Sequence, residues 1–268
     1  MLSSKRFVSA LAVWALAVSA MASSSMALAA GEPAGSKPTV VLVHGAFAES
    51  SSWNPVITEL GKKGYRTIAV ANPLRSVKSD ASYVAGVLKT IKGPVILVGH
   101  SYGGAVISSA ATGNTNVKAL VYVAAFAPDK GETAIGLSGK FPGSTLGPTL
   151  APPVPLADGN KDLYIQQDKL HAQFAADLSD AVAAQMAATQ RPVTEAALNE
   201  AAGDAAWKTI PSWFIYGELD KNIPAAALDF MAKRAAAKKS IAVKGASHVV
   251  MLSHPQEVAR LIEEAATS

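Results

Sequence analysis

Cysteine is absent from this chain of 268 residues, which excludes disulfide bonds, thiolate metal sites and a cysteine nucleophile. Charged residues are scarce at 16%, while half of the chain is hydrophobic, and this balance excludes an intrinsically disordered protein. The 24 Lys and Arg against 20 Asp and Glu leave a formal charge of +4. They form no basic stripe, so we expect no nucleic-acid partner. The apolar residues are numerous enough for a sizeable core in one large domain or two small ones.

The first 29 residues have the features of a signal peptide. Lys5 and Arg6 form a short basic start, and the 16 residues of 7–22 are apolar apart from two serines. Ala27-Leu28-Ala29 fits the A-x-A pattern of a signal-peptidase site. Because a membrane-spanning helix needs about 20 residues, cleavage after Ala29 is favoured over an uncleaved membrane anchor. We therefore expect export to the periplasm or the medium, and a mature domain of residues 30–268 without a stable membrane anchor.

Short apolar runs alternate with helical patterns along the mature chain. Strands that are nearly all apolar are typical of a parallel sheet covered by helices, and the alternation predicts βαβ units with right-handed crossovers. We predict an α/β fold with six parallel strands at 39–43, 66–70, 94–98, 119–124, 212–216 and 240–243. The intervening helices are predicted at 53–63, 80–91, 103–112, 225–237 and 255–266.

The stretch from about residue 128 to 207 breaks this alternation. It begins with Gly and Pro residues, continues with Ala-rich helical patterns and contains no convincing strand. An insertion of 80 residues is too long for a structureless loop. It therefore predicts a small helical subdomain, placed as a lid over the strand ends, with helices near 162–177, 180–189 and 194–202.

The strongest chemical signal is the run VILVGHSYGG at residues 95–104. A buried strand leads into G-x-S-x-G and then into a helix. Gly99 and Gly103 permit a turn so sharp that side chains there would collide, and the turn projects the Ser101 hydroxyl at a helix N-terminus. The pattern alone is weak, but between a strand and a helix it indicates a nucleophilic serine rather than an incidental one.

A nucleophilic serine needs a base, and a third group must orient that base. His248 follows the last predicted strand, so it should reach the carboxyl edge of the sheet beside Ser101. His254, which precedes a proline at a helix start, is its main rival. We expect His44 to brace the loop that it begins, His100 to pack beneath the serine turn and His171 to lie on the lid surface.

The serine turn, the later histidine and the earlier Val43-His44-Gly45-Ala46 resemble the α/β-hydrolase superfamily over the whole mature chain. Within it, the chain resembles the compact, lid-bearing serine esterase branch that includes small bacterial esterases and the plant methylesterase and hydroxynitrile-lyase group. The resemblance implies an α/β-hydrolase fold, with the lid inserted before the strand that precedes the acid.

The resemblance also implies the remaining site residues. It places the triad acid at Asp220, after the strand at 212–216, with Asp129 and Glu218 as alternatives. It places the two oxyanion-hole amides at Tyr102, directly after the nucleophile, and at Ala46. Five large side chains could line the substrate pocket or belong to the core: Phe47, Trp53, Tyr164, Phe174 and Met186.

The expected activity is hydrolysis of small carboxylic esters without a cofactor or a metal. A serine nucleophile argues against dehalogenase and epoxide hydrolase chemistry, for which relatives use aspartate. The plant-type lyases carry threonine at the position of Gly45 and lysine at that of Val249, so both departures weaken a lyase function. An amidase, lactonase, perhydrolase or C–C hydrolase would use the same triad, and a non-catalytic ligand-binding protein of this fold is the alternative from another class. The oligomeric state stays open.

Overall fold

The computed structural model describes residues 37–268, so the predicted signal peptide lies outside the described residues. In this part of the chain, nine strands form two sheets. They are β1 (Thr39–Val43), β2 (Thr67–Val70), β3 (Val95–His100), β4 (Val117–Val123), β5 (Val154–Pro155), β6 (Lys161–Leu163), β7 (Val193–Thr194), β8 (Ser212–Gly217) and β9 (Lys239–Val243).

Ten α-helices accompany the strands within residues 37–268. They are α1 (Asn54–Lys62), α2 (Val77–Lys89), α3 (Tyr102–Ala110), α4 (Ala134–Ser138), α5 (Gln167–Phe174), α6 (Asp180–Thr189), α7 (Glu195–Asn199), α8 (Ala225–Arg234), α9 (Val250–Ser253) and α10 (Pro255–Thr267). Among these helices, none is long and apolar enough to span a bilayer.

The main sheet contains six parallel strands in the order β2-β1-β3-β4-β8-β9. Every residue of β1 and β3 is buried. Because alternate residues of a strand point to opposite faces, this burial means that both faces are covered, as all-apolar strands predict. Helices α2 and α3 pack together against the sheet, and so do α1 and α10. The six predicted strands are therefore confirmed.

The strand order fixes where a site can form. From β1 the chain crosses to β2 on one side and then to β3 on the other side of β1. In open parallel sheets, ligands bind outside the carboxyl ends of the strands at such a switch point. The loops after β1 and β3 meet there, and these are the loops that carry Ala46 and Ser101.

The insertion corrects one prediction. It contains helices α4–α7, but also an antiparallel sheet in the order β5-β6-β7, where no strand is expected from the sequence. Asp162, predicted in a helix, lies in β6 and pairs with Thr194. The reason is that strands of two or three residues are too short to show a period of two, and they form here through pairing between distant segments.

Candidate active site

Ser101 lies at the turn between β3 and α3, in a strained backbone conformation with φ 53° and ψ −124°. Such a conformation costs about 1–3 kcal/mol and persists only where the surroundings enforce it. The neighbouring glycines are required sterically. A Cβ on Gly99 would lie 2.6 Å from the carbonyl oxygen of Gly103, and a Cβ on Gly103 would lie 2.5 Å from that of Val43. The turn therefore holds the serine by close backbone contacts.

A buried carboxylate on α2, that of Asp80, holds the turn that carries Ser101. The hydroxyl of Tyr102 donates a hydrogen bond of 3.0 Å to Oδ2 of Asp80, which belongs to α2 and is fully buried. Burial raises the pKa of Asp80 above its ordinary value, against the opposing effect of its hydrogen bonds. In the sequence Asp80 shows only as a helix residue, so this link between α2 and the serine turn is invisible there.

His248 and Asp220 come together in the structure, although 28 residues separate them. Nδ1 of His248 lies 2.6 Å from Oδ2 of Asp220, and both side chains are fully buried. The other carboxylate oxygen of Asp220 accepts the backbone N–H groups of Asn222 at 2.8 Å and Ile223 at 2.9 Å. These bonds fix the carboxylate, which in turn fixes the imidazole ring.

Within the part of the chain that the structure describes, the second ring nitrogen of His248 is free of other hydrogen bonds that would occupy it. Nε2 is buried and has no hydrogen-bond partner within residues 37–268. His248 and Ser101 line the same cavity. Nε2 is therefore the ring nitrogen that is free to accept a proton.

The structure keeps the alternative acids and base away from this pair. Asp129 forms an ion pair of 2.5 Å with Lys208, and its pKa is lowered chiefly by the hydrogen bond from that lysine. Glu218 is exposed. His254 forms its side-chain hydrogen bond with the hydroxyl of Ser253.

The remaining histidines have the predicted structural positions. Nε2 of His44 accepts the N–H of Asn72 at 3.0 Å, and its Nδ1 donates to the carbonyl of Gly45, so it braces its own loop. Nε2 of His100 donates to the carbonyl of His248 at 3.2 Å, with 4.8 Å between the two ring centroids. Burial lowers the pKa of both His44 and His100, so both rings are neutral at pH 7. His171 lies partly exposed on the lid.

The loop after β1 runs directly against the serine turn. A Cβ on Gly45 would lie 2.6 Å from Cβ of Ser101 and 2.7 Å from the carbonyl oxygen of His100. The next residue, Ala46, and Tyr102 both line the cavity. Neither backbone amide donates to another group within residues 37–268. Two free N–H donors beside a serine are what an oxyanion hole requires.

The cavity at this site has a volume of about 430 Å³. Its lining, all within residues 37–268, includes no Asp, Glu, Lys or Arg. Most of the apolar wall could not be predicted from the sequence, because the lid supplies the larger part of it, while Phe126 and Ile223 come from loops after β4 and β8. That wall includes Phe126, Ile135, Leu146, Leu150, Leu163, Leu198 and Ile223.

The five large side chains proposed for the pocket divide into two groups. Phe47 and Phe174 lie on the cavity wall, with 6.1 Å between their ring centroids. Trp53 is fully buried in the core, with its ring 6.4 Å from that of His100. Tyr164 and Met186 are half-buried on the lid and lie off the cavity wall. The geometry therefore does not support a pocket position for Trp53, Tyr164 or Met186.

Across residues 37–268, no group of three or more His, Asp or Glu side chains is arranged to hold a metal ion.

Comparison with known proteins identifies the family. The sequence model of the alpha/beta hydrolase family matches residues 40–261. The chain belongs to the alpha/beta hydrolase family. A relative from Aspergillus novofumigatus, the alpha/beta hydrolase nvfD, is 28% identical over 250 residues, covering 86% of this chain and 97% of the relative. The alpha-hydroxynitrile lyase of Arabidopsis thaliana is 26% identical over 240 residues, covering 81% and 93%.

Solved structures agree on the fold. The crystal structure of polyneuridine aldehyde esterase superimposes with a TM-score of 0.73 at 17% identity, covering 85% of this hydrolase and 99% of that chain. At this identity the likeness shows the fold alone.

In this alpha/beta hydrolase, the lid contacts the loops that carry Asp220 and His248. Nε2 of Gln173, on α5, donates to the carbonyl of Lys221 at 2.9 Å and to Oδ1 of Asn222 at 3.1 Å. The hydroxyl of Ser247 donates to the carboxylate of Asp177. The lid therefore supports the site as well as covering it.

Proposed function

We propose that this hydrolase cleaves small, uncharged carboxylic esters through an acyl-enzyme on Ser101. The observation that carries the proposal is the placement of His248, whose ring lies between the carboxylate of Asp220 and the cavity that Ser101 lines. A buried, oriented imidazole beside a strained serine turn is the arrangement that nucleophilic catalysis requires.

The reaction would run in two steps. Nε2 of His248 takes the proton of Ser101 as the hydroxyl oxygen attacks the ester carbonyl carbon. The N–H groups of Ala46 and Tyr102 stabilise the oxyanion, and the imidazolium returns its proton to the leaving alcohol. Water, deprotonated by His248, then attacks the acyl carbon, and Ser101 regains its proton as the acid leaves. Asp220 holds the ring and stabilises its positive charge in both steps.

The cavity supports the substrate class. It lacks acidic and basic side chains, and its wall is mainly apolar, so an anionic substrate would find no cation to pair with. A volume of about 430 Å³ is within the range of small-molecule sites. Hydrolysis of amides, lactones or C–C bonds and perhydrolysis would need the same residues, and a screen over these substrate types ranks them.

A lyase reaction has weaker support despite the Arabidopsis relative. At Gly45 a side chain would collide with Ser101, so this backbone has no room for threonine there. Val249, at the position where the plant-type lyases carry lysine, is fully buried. Release of cyanide from a cyanohydrin would therefore contradict the proposal.

The test is ester turnover with site-specific labelling. The wild-type protein should hydrolyse p-nitrophenyl acetate and butyrate, and a fluorophosphonate should add to Ser101, as located by mass spectrometry. Ser101→Ala should lower kcat by at least about 1,000-fold while the protein remains folded. An adduct on another residue, or a fully active alanine variant, would refute the assignment. A folded wild type without turnover of any ester would favour the ligand-binding alternative.

We propose export as a separate point, from the sequence of the first 29 residues. N-terminal sequencing of the periplasmic or secreted fraction should begin near Ala30. A membrane-bound protein with an intact Met1 would contradict cleavage.

A further inference from the structure

One residue of the lid contacts both ends of the segment that follows Ala46. The guanidinium of Arg191 donates from Nε to Oε1 of Glu49 at 3.0 Å and from Nη2 to Oε2 at 3.2 Å. The backbone carbonyl of Arg191 accepts the N–H of Phe47 at 3.0 Å. Arg191 therefore holds the chain on both sides of Ala48, immediately after the proposed oxyanion donor.

The loop after β1 needs support from outside itself. Phe47 is 3% exposed and has a φ of 59°, a conformation that residues with a side chain rarely adopt. Its buried N–H would be costly without an acceptor, and the lid carbonyl supplies one. On the other side, Gly45 is in close contact with Ser101. Ala46 therefore lies between a contact with the serine turn and a contact with the lid.

The backbone around Arg191 is suited to present that carbonyl. Pro192 follows directly, and a residue before proline is restricted to extended conformations. The carbonyl of Pro192 is itself fixed, because it accepts a hydrogen bond of 2.8 Å from Nη2 of Arg75. Further along, Thr194 donates its N–H to the carbonyl of Leu74 at 3.1 Å. The acceptor for Phe47 is therefore part of a segment held at several points.

We propose that Arg191 is a positioning residue that holds the amide of Ala46 toward the developing oxyanion. It thereby couples the seating of the lid to the formation of the oxyanion hole. This inference rests on the proposed function, since it assumes an acyl transfer at Ser101. Arg191 does not line the cavity. It acts at a distance, through its backbone carbonyl on Phe47 and through its guanidinium on Glu49.

The expected signature is a loss in kcat without a change in KM. Removing an oxyanion donor outright lowers kcat by about 100- to 1,000-fold. Because Arg191→Gln would loosen the donor without removing it, we expect a fall of about 10- to 100-fold. KM should be unchanged, since the hole acts mainly on the tetrahedral oxyanion and not on the bound ester. Arg191→Lys keeps the charge but loses the two-pronged geometry, so its kcat should be intermediate.

Glu49→Gln provides an internal check. If the two residues act as one unit, the double variant Glu49→Gln/Arg191→Gln should be no slower than the worse single variant, and not the product of the two losses.

Glu132→Gln is the matched control. It breaks another two-pronged ion pair between the lid and the core, with 2.7 Å from Nη1 of Arg234 to Oε1 of Glu132 and 2.8 Å from Nη2 to Oε2, and side chains 28% and 21% exposed for Glu132 and Arg234. The Arg191–Glu49 pair is comparable, at 37% and 32%. Within residues 37–268, Glu132 has no hydrogen bond to the loop after β1 or to the segment around Arg191, so its substitution should leave kcat within about twofold.

The experiment measures kcat and KM for p-nitrophenyl acetate in each variant, together with the inhibition constant of phenylboronic acid. The boronate forms a tetrahedral serine adduct with an oxygen in the hole, so its affinity should fall in parallel with kcat. Melting temperature establishes that each variant is folded.

The inference is overturned if Arg191→Gln keeps the wild-type kcat, if only KM rises, or if Glu132→Gln loses as much kcat. A wild type that hydrolyses no ester would refute the proposed function and this inference with it. A wild type that is active and a variant that equals it would refute this inference alone.

Discussion

Replacing Asp220 with asparagine should inactivate the protein by forcing the wrong tautomer on His248. In the wild type, Oδ1 of Asp220 accepts two backbone N–H groups, from Asn222 and Ile223. In the variant, the amide oxygen must keep that side, because an NH2 group there would face two donors. The NH2 group then faces Nδ1 of His248 across the contact that measures 2.6 Å in the wild type.

The consequence can be followed to the serine. Facing a donor, Nδ1 of His248 must accept, so the ring proton moves to Nε2. A protonated Nε2 cannot take the proton of Ser101. In a Ser-His-Asp triad the wrong tautomer lowers kcat by about 10,000-fold, which corresponds to about 5.4 kcal/mol of transition-state stabilisation.

The assay is kcat for p-nitrophenyl acetate, with circular dichroism to show that the variant is folded. Asp129→Asn is the control, because Asp129 also follows a strand of the sheet but pairs with Lys208 at the surface. It should keep kcat within about twofold, as expected for an exposed ion pair. A loss of less than tenfold for Asp220→Asn, or a larger loss for Asp129→Asn, would refute this account of the triad acid.

Two further predictions concern stability and selectivity. Burial lowers the pKa of His44 and His100. Below about pH 6.5 the unfolded chain therefore binds protons that the folded state does not. As pH falls through that range, the free energy of unfolding should decrease by up to about 1.4 kcal/mol per pH unit for each histidine. Urea unfolding at about pH 7.5 and about pH 5.5 should show this loss, which the raised pKa of Asp80 opposes, and a higher stability at the lower pH would contradict it. Phe174→Leu should enlarge the cavity and raise kcat/KM for octanoate over acetate esters by about 3- to 10-fold. Met186→Leu, off the cavity wall, should leave that ratio unchanged; equal shifts in both variants would exclude Phe174 as a selectivity residue.

The fold of the main sheet could be predicted from the sequence because each of its strands has a local signature. Each is a run of apolar, mostly β-branched residues bounded by loops, and each observed strand lies within two residues of its predicted ends. The lid is different. Strands β6 and β7 contain three and two residues and are formed by the pairing of Asp162 with Thr194 and of Leu163 with Val193. Local periodicity carries no information about such a contact.

The same distinction applies to the aromatic residues. Trp53 and Phe174 are both large, apolar and fully buried, yet the first packs in the core and the second packs against His248 with 4.9 Å between ring centroids. Neither the composition of the chain nor the spacing of its apolar residues distinguishes Trp53 from Phe174. What separates them is the placement of α5 over the strand ends, which depends on single hydrogen bonds such as those of Gln173.

The candidate site therefore has two parts with different origins. Ser101, Asp220 and His248 each follow a strand of one parallel sheet, at its carboxyl edge, so the topology alone brings them together once the strands are recognised. Most of the cavity wall comes instead from the lid. The support of Ala46 also comes from the lid, through contacts between residues more than a hundred positions apart, such as Arg191 with Glu49. The sequence therefore indicates hydrolase chemistry through residues near the strand ends, whereas the choice of substrate depends on a surface that exists only after the lid has folded onto the sheet.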